Sequence, residues 1–332
     1  MPNSLISLNH ITRTFPVKRD TITAVDDVSL DIRAGEILCL VGESGCGKTT
    51  IGKMVAGVLP VSSGEIFFRG QNIARLGGEA RKNFRLGVQM IHQDPYASLN
   101  PAQTIREIIS APLTHHRITR GDQATRQRVR DLLEQVDLTP TDDFLEKYPH
   151  QLSGGQRQRV SIARALTVSP SFIVADEAVS MVDVSIRISL LKTLTKLKEQ
   201  MGLAVLFITH DLALAKYFAW EGRIGVMYLG RLVELAPARE LVEHPQHPYT
   251  QVLLSAIPEA DPDKTRHKKR IALRSMDVPS LLRVPSGCAF HPRCPQFIGD
   301  VCEREVPELV EANGARVACH LVTQHSPLIT RV

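Results

Sequence analysis

The stretch EILCLVGESGCGKTTIGKM constrains the fold more than any other part of this 332-residue chain. Five apolar residues, Ile37 to Val41, lead into a glycine-rich turn, and a helix-forming run begins near Lys48. Gly42, Gly47, Lys48 and Thr49 fall on the GxxxxGK[ST] spacing. Glycines let successive backbone N–H groups curl around phosphate oxygens, and the helix that follows presents the positive end of its dipole. A lysine so placed reaches β- and γ-phosphates, and the Thr49 hydroxyl is placed to ligate Mg²⁺. The letters alone also fit a chance glycine turn beside a surface lysine, but the strand before and helix after favour a phosphate loop. Gly42, Glu43, Ser44, Gly45, Cys46, Gly47, Lys48, Thr49 and Thr50 form the candidate nucleotide-binding run.

A second apolar strand, Phe172 to Ala175, ends in Asp176 and Glu177. Ligands of open α/β sheets gather at the carboxyl ends of strands, so both carboxylates are expected to face the phosphates. Asp176 is the candidate Mg²⁺ holder and Glu177 the candidate general base for the attacking water. In YPHQLSGGQRQRVSIARAL, Ser153, Gly154, Gly155 and Gln156 open another helix, which makes a second anion-binding terminus. Two such termini and a single lysine-bearing loop suggest a dimer, each nucleotide held between one copy's loop and the other's cap.

Composition narrows the setting. Hydrophobic content is 43% and charged content 23%, ordinary for a globular chain. A net charge of +5 is mild. It suits work on nucleotides or beside an anionic membrane, and lacks the dense basic stripe of a nucleic-acid binder, so no nucleic-acid partner is expected. MPNSLISLNHITRTF shows no signal-peptide pattern, and no apolar run approaches the ~20 residues of a membrane span. The expected compartment is the cytoplasm, where clustered cysteines favour metal over disulfide.

Cys288, Cys294, Cys302 and Cys319 are separated by five, seven and sixteen residues. None of these gaps is the short knuckle of a structural zinc site. Four thiolates also suit a cubane iron–sulfur cluster, whose ligand spacing is more permissive, and buried free thiols are a third reading. Pro285, Gly287, Pro292, Pro295 and Gly299 surround them, which suits a loop-rich module that bound metal would help to fold. His291 and His320 are alternative ligands. Cys46, beside a helix N-terminus, is expected to have thiolate character and to react with maleimide unless MgATP protects it; Cys39, in the strand, is expected to react slowly.

The LSGGQ run, the phosphate loop, the acidic pair and a downstream histidine together make the chain resemble ATP-binding subunits of ABC transporters over roughly residues 5 to 255. The resemblance implies an α/β P-loop NTPase cassette with a mainly parallel core sheet, an antiparallel N-terminal sheet and a helical subdomain at about 98–166. Val129, Leu132, Leu133 and Val136 give that subdomain an amphipathic helix. By the same resemblance Phe15 is the adenine platform and Gln93, in MIHQDPYASLNP, touches Mg²⁺ and contacts the permease. Asp183 is the D-loop aspartate, and His210, in LFITHDL, contacts the γ-phosphate. Ser153 to Gln156 would bind the partner subunit's ATP. The chain departs from the family where Ala178 replaces a proline and Met181 and Val182 replace an Ala-Leu pair, so turnover and dimer contacts are the features these changes touch.

HPYTQVLLSAIP and the cysteine-bearing tail resemble one subgroup, the ATP-binding subunits of oligopeptide, dipeptide and nickel importers. This implies ATP hydrolysis driving uptake of oligopeptides or dipeptides, with nickel or oligosaccharides as the alternative cargo. Implied partners are two integral-membrane permease subunits, a second ATPase subunit (a paralogue or the chain itself) and, indirectly, an extracytoplasmic substrate-binding protein. The implied location is peripheral, on the cytoplasmic face of the inner membrane. A 4Fe–4S cluster on the four cysteines is the implied cofactor, with Zn²⁺ as alternative. The expected division is a cassette at 1–257, a linker or strap at 258–284 and a cysteine-rich extension at 285–332. The basic run Lys264, Arg266, Lys268, Lys269 and Arg270 reads as solvated surface or as a contact with anionic lipid. A soluble ABC-type ATPase of translation or DNA repair would normally carry two cassettes or a long insertion; this chain has neither. A non-hydrolysing regulator is the reading that the altered D-loop leaves open.

Overall fold

The computed structural model describes residues 4–18, 20–258 and 269–325. Lys264, Arg266 and Lys268 lie outside these residues, while Lys269 and Arg270 are exposed.

Two sheets organise the chain. The N-terminal one is antiparallel, in the order β2-β1-β4-β5, from β1 (Ser4–Val17), β2 (Asp20–Arg33), β4 (Ser63–Phe68) and β5 (Gln71–Asn72). The second has eight strands in the order β11-β12-β10-β9-β3-β8-β7-β6. Its parallel centre comprises β6 (Val88–Ile91), β7 (Phe172–Asp176), β8 (Ala204–Thr209), β3 (Ile37–Val41) and β9 (Arg223–Tyr228). β3, β7 and β8 are buried along their whole length, the pattern of strands covered on both faces. Ile37, Cys39, Val41, Ile173, Ala175, Val205 and Phe207 enter one core. Their neighbours Leu38, Leu40, Phe172, Val174, Leu206 and Ile208 enter the other, beneath the antiparallel sheet. The two-residue period of the strands therefore divides the hydrophobic interior into two layers.

Between β6 and β7 the chain is helical. Ile105–His115 starts at a Thr104 capping box, Asp122–Gln135 follows, and Val129, Leu132, Leu133 and Val136 are all buried. Gly154–Leu166 then leads back to β7.

After β10 (Arg231–Pro237) and the helix Pro248–Ala256, the chain returns to the main sheet. β11 (Val310–Ala312) and β12 (Ala315–Val317) form a hairpin, with Ala312 opposite Ala315 across Asn313 and Gly314. Both turn residues have positive φ, 48° and 79°, as a two-residue type I′ connection requires. β12 pairs antiparallel with β10, Glu234 opposite Val317. Phe290, Cys294, Val317 and Cys319 join the same core as the cassette strands. The extension is thus stitched to the cassette by a sheet and a shared interior, where the sequence alone suggested a loop-rich module held mainly by metal.

Candidate functional site

The phosphate loop runs from the buried end of β3 into the helix Lys48–Val55. Its glycines are required by geometry. Gly47 has φ 102°, and a Cβ there would lie 2.2 Å from the Ala24 carbonyl oxygen. A Cβ on Gly42 would lie 2.2 Å from the Met227 carbonyl oxygen. Lys48 is buried, and its Nζ donates to the carbonyls of Gly42 at 2.8 Å and Glu43 at 2.9 Å, folded back along the loop. The helix has no side-chain cap, so its first N–H groups face outward as an anion site.

Beside it, the Thr49 hydroxyl donates to Asp176 Oδ1 at 2.9 Å. Asp176 is buried, and burial, followed by the nearby charge of Glu177, lifts its carboxyl above the usual range, while the Thr49 hydrogen bond pulls the other way. A buried carboxylate paired with a hydroxyl offers oxygen donors of the kind that suit a divalent cation. Glu177 follows with φ 46°, a left-handed conformation that costs a non-glycine residue roughly 1–2 kcal/mol. It is held there by its N–H donating to Ile208 O at 2.9 Å. Gln93 Nε2 donates to Glu177 Oε2 at 2.9 Å, and His210 Nδ1 lies 3.2 Å from Oε1. Thr49, Asp176, Glu177, Gln93 and His210 are therefore connected at the carboxyl ends of parallel strands.

The remaining candidates stand apart. Ser153 caps the helix Gly154–Leu166: its Oγ accepts from Gln156 N at 3.2 Å, and Gln156 Oε1 accepts from Ser153 N at 2.9 Å. A Cβ on Gly155 would meet Ile186 at 2.6 Å, so this helix packs closely on the start of the next one, Val184–Met201. Asp183 heads that helix with its side chain exposed and no capping bond. Of the unusual residues nearby, Ala178 is buried, Val182 packs on the core and Met181 is 58% exposed. Arg187 braces the turn by donating to Val182 O at 2.9 Å and Ser180 O at 3.1 Å. Phe15 is half-buried on β1, with the Arg13 guanidinium 4.8 Å from its ring centre.

Cys46 differs from expectation. It is 2% exposed, with Lys48 Nζ 3.5 Å from its sulfur. Burial outweighs that charge and raises the thiol's pKa, so the expected thiolate character is absent. The helix-terminus argument missed the desolvation. Cys39 is fully buried, with a raised pKa for the same reason.

All four tail cysteines line one cavity with His247, His291 and His320. Burial pushes Cys288 up to about 12 and Cys294 up to about 11, and the neighbouring thiols add to both shifts. Four cysteines facing one cavity form a soft donor set that a bound cation would ionise. No group of three or more His, Cys, Asp or Glu among the described residues is arranged as a single-ion shell.

Three tail residues were not anticipated. His247 caps the helix Pro248–Ala256 through Nδ1, which accepts from Tyr249 N at 3.0 Å. Full burial depresses its pKa to about 3, so it is neutral. Tyr249 and Arg293 both reach Glu43 of the phosphate loop. An HPY run with proline at the first helical position signals the cap but not these distant contacts.

The ABC transporter family matches residues 25–180, and the family described as oligopeptide/dipeptide transporter, C-terminal region, matches residues 233–302. The oligopeptide transport ATP-binding protein AppF of Bacillus subtilis (strain 168) is 42% identical over 328 residues, covering 96% of this chain and 97% of that protein. YkfD of the same organism, also named for oligopeptide transport, is 45% identical over 305 residues, or 92% of this chain and 91% of its own. A dimeric ATP-binding cassette solved in a post-hydrolysis state with ADP and Pi superposes with TM-score 0.63 at 29% identity, over 70% of this chain and 99% of that one. With a phosphate-loop sequence, an acidic strand end at Asp176 and a tail of the matching type, the chain belongs to the ATP-hydrolysing subunits of the oligopeptide/dipeptide family of ABC transporters.

Proposed function

We propose that this chain powers the import of oligopeptides or dipeptides, with Glu177 as its general base. The observation that carries the catalytic assignment is Glu177 itself, gripped by Gln93 and His210 next to the Thr49–Asp176 pair. Lys48 would leave the Gly42 and Glu43 carbonyls for the phosphates of ATP, which the loop N–H groups surround. Thr49, Asp176 and Gln93 would hold Mg²⁺, which when bound neutralises charge on the β- and γ-phosphates. Glu177 takes the proton of the attacking water, and His210 steadies the carboxylate and the γ-phosphate. Phe15 would stack on adenine. Ser153, Gly154, Gly155 and Gln156 would meet the ATP of a second ATPase subunit, with Asp183 beside them.

No helix among the described residues is long and apolar enough to cross a membrane. We therefore assign transport to two integral-membrane permease subunits, fed by an extracytoplasmic binding protein, with this chain docked peripherally on the cytoplasmic face. The peptide cargo rests on the names of its relatives; nickel or oligosaccharide uptake by the same machinery is the alternative. Glu177→Gln should retain MgATP but hydrolyse it ~10²-fold more slowly or worse. Wild-type turnover would remove Glu177 from the role. Co-purification with two integral-membrane proteins, followed by uptake of labelled peptides, tests the transport assignment.

The cysteine cavity is proposed to hold a 4Fe–4S cluster, with Zn²⁺ as the alternative. The convergence of all four cysteines on one cavity supports this reading. Anaerobically purified protein should absorb near ~400 nm and contain about four irons per chain. One zinc per chain would select the alternative, and a metal-free folded tail would end both.

A further inference from the structure

Glu43, the second residue of the phosphate loop, has its N–H and its carboxylate held by residues from outside the loop. Its backbone N–H donates to Tyr249 Oη at 3.1 Å. Its carboxylate accepts from Arg293 Nη1, 2.9 Å from each oxygen. Arg293 is 5% exposed, and the same Nη1 lies 3.3 Å from Tyr228 Oη. Tyr228, Tyr249 and Phe290 pack around this contact with ring centres 4.8–5.2 Å apart. Arg293 stands beside Cys294 in a turn closed by its own N–H donating to Phe290 O at 3.0 Å. Residues 278–281 of the preceding strap line a cavity with Glu43, Ser44, Gly45 and Cys46 on the loop's outer side.

The loop has reason to need such a hold. Gly45 and Gly47 lie in left-handed conformations with no side chain to pack, and glycine-rich backbone loses most freedom on being ordered. The Glu43 carbonyl also receives Lys48 Nζ, so the residue that Arg293 fixes is the one against which the phosphate-binding lysine rests. A buried guanidinium is costly without a carboxylate partner, which makes the pair mutually dependent.

We propose that Arg293, assisted by Tyr249, is a positioning residue for ATP. From the cysteine-bearing tail it fixes Glu43 and so orders the phosphate loop before nucleotide arrives. It touches no substrate and acts on binding rather than on the chemical step. This rests on nucleotide binding at the loop, which Lys48→Ala checks separately: that variant should lose MgATP binding whatever Arg293 does.

The test uses the full-length chain, a fluorescent ATP analogue for affinity, steady-state hydrolysis and hydrogen exchange of residues 43–46. Arg293→Ala should raise KM and Kd about tenfold, the scale of re-ordering one or two backbone residues, with kcat changed less than about threefold. Exchange at 43–46 should rise, and MgATP should suppress the rise. Arg293→Lys, whose Nζ can still reach the carboxylate, should recover most of the affinity. If Arg293→Ala fails to fold, Tyr249→Phe, which removes only the hydroxyl that accepts from Glu43 N, must raise KM with kcat preserved. Wild-type KM in Arg293→Ala or in Tyr249→Phe overturns the proposal. So does a loss confined to kcat, or an Arg293→Lys variant as impaired as Arg293→Ala.

Discussion

The helix N-termini at Gly47 and at Ser153 are both built from glycine-rich sequence, and they are finished in opposite ways. Lys48–Val55 begins at Gly47 with no side-chain cap. Gly154–Leu166 begins at Ser153 inside a complete capping box. Unsatisfied N–H groups at a helix start are costly unless water or a ligand takes them, so the uncapped end is open to a ligand within a single chain. The capped end is satisfied by its own side chains. It meets a partner's phosphates only if Ser153 and Gln156 exchange those bonds for new ones. One terminus is organised around a small molecule and the other around itself.

Substitutions sharpen that contrast. The largest effect is expected at Gly47, where alanine would combine left-handed strain with a Cβ 2.2 Å from backbone. Gly47→Ala should weaken MgATP binding about a hundredfold or more by equilibrium titration. Near-normal binding would mean that the open terminus is not the phosphate site. Next, Gly155→Ala must displace Ile186 and should destabilise the fold by about 2 kcal/mol in urea melts. An unchanged midpoint would show that this packing is slack. Ser153→Ala should cost about 1 kcal/mol of stability, the usual value of a lost N-cap. No loss would leave the capping box without energetic weight and erase the asymmetry. The smallest effect concerns protons. Mg²⁺ bound at Asp176 would need it ionised, and burial raises its pKa above the unperturbed ~3.9. Lowering the pH should therefore weaken Mg²⁺ binding sooner than an ordinary aspartate predicts, by about threefold as the carboxyl begins to protonate. Metal titrations between about pH 7.5 and 5 check the slope, and Asp176→Asn should abolish it.

Much of the architecture was legible because it rests on local spacing. Ile37–Val41 and Phe172 to Ala175 declare themselves as apolar strands, and the letters around Lys48 and Asp176 place one at a helix start and the other at a strand end. What escaped depends on depth or on distance. The reactivity expected of Cys46 was read from its neighbours in sequence, whereas its burial is set by the sheet beneath. The contact between Glu43 and Arg293 joins residues 250 positions apart, and no periodicity encodes such a pair. The β11–β12 hairpin was readable in principle. Asn313-Gly314 between alternating apolar residues is a strong hairpin signal, but each flanking strand is only three residues long, too short for the alternation to stand out.

That hairpin also covers a border of the main sheet. β10 is seven residues long, largely buried and apolar through Leu232, Val233, Leu235 and Ala236. With β12 laid against it, the sheet ends on this side at β11, only three residues long. Brief borders of this kind blunt edge-to-edge association, whereas a long apolar border invites it. A chain cut before residue 310 would bare β10 as a template for strand addition. Aggregation would then follow from the lost border alone, with every residue of the phosphate loop still in place.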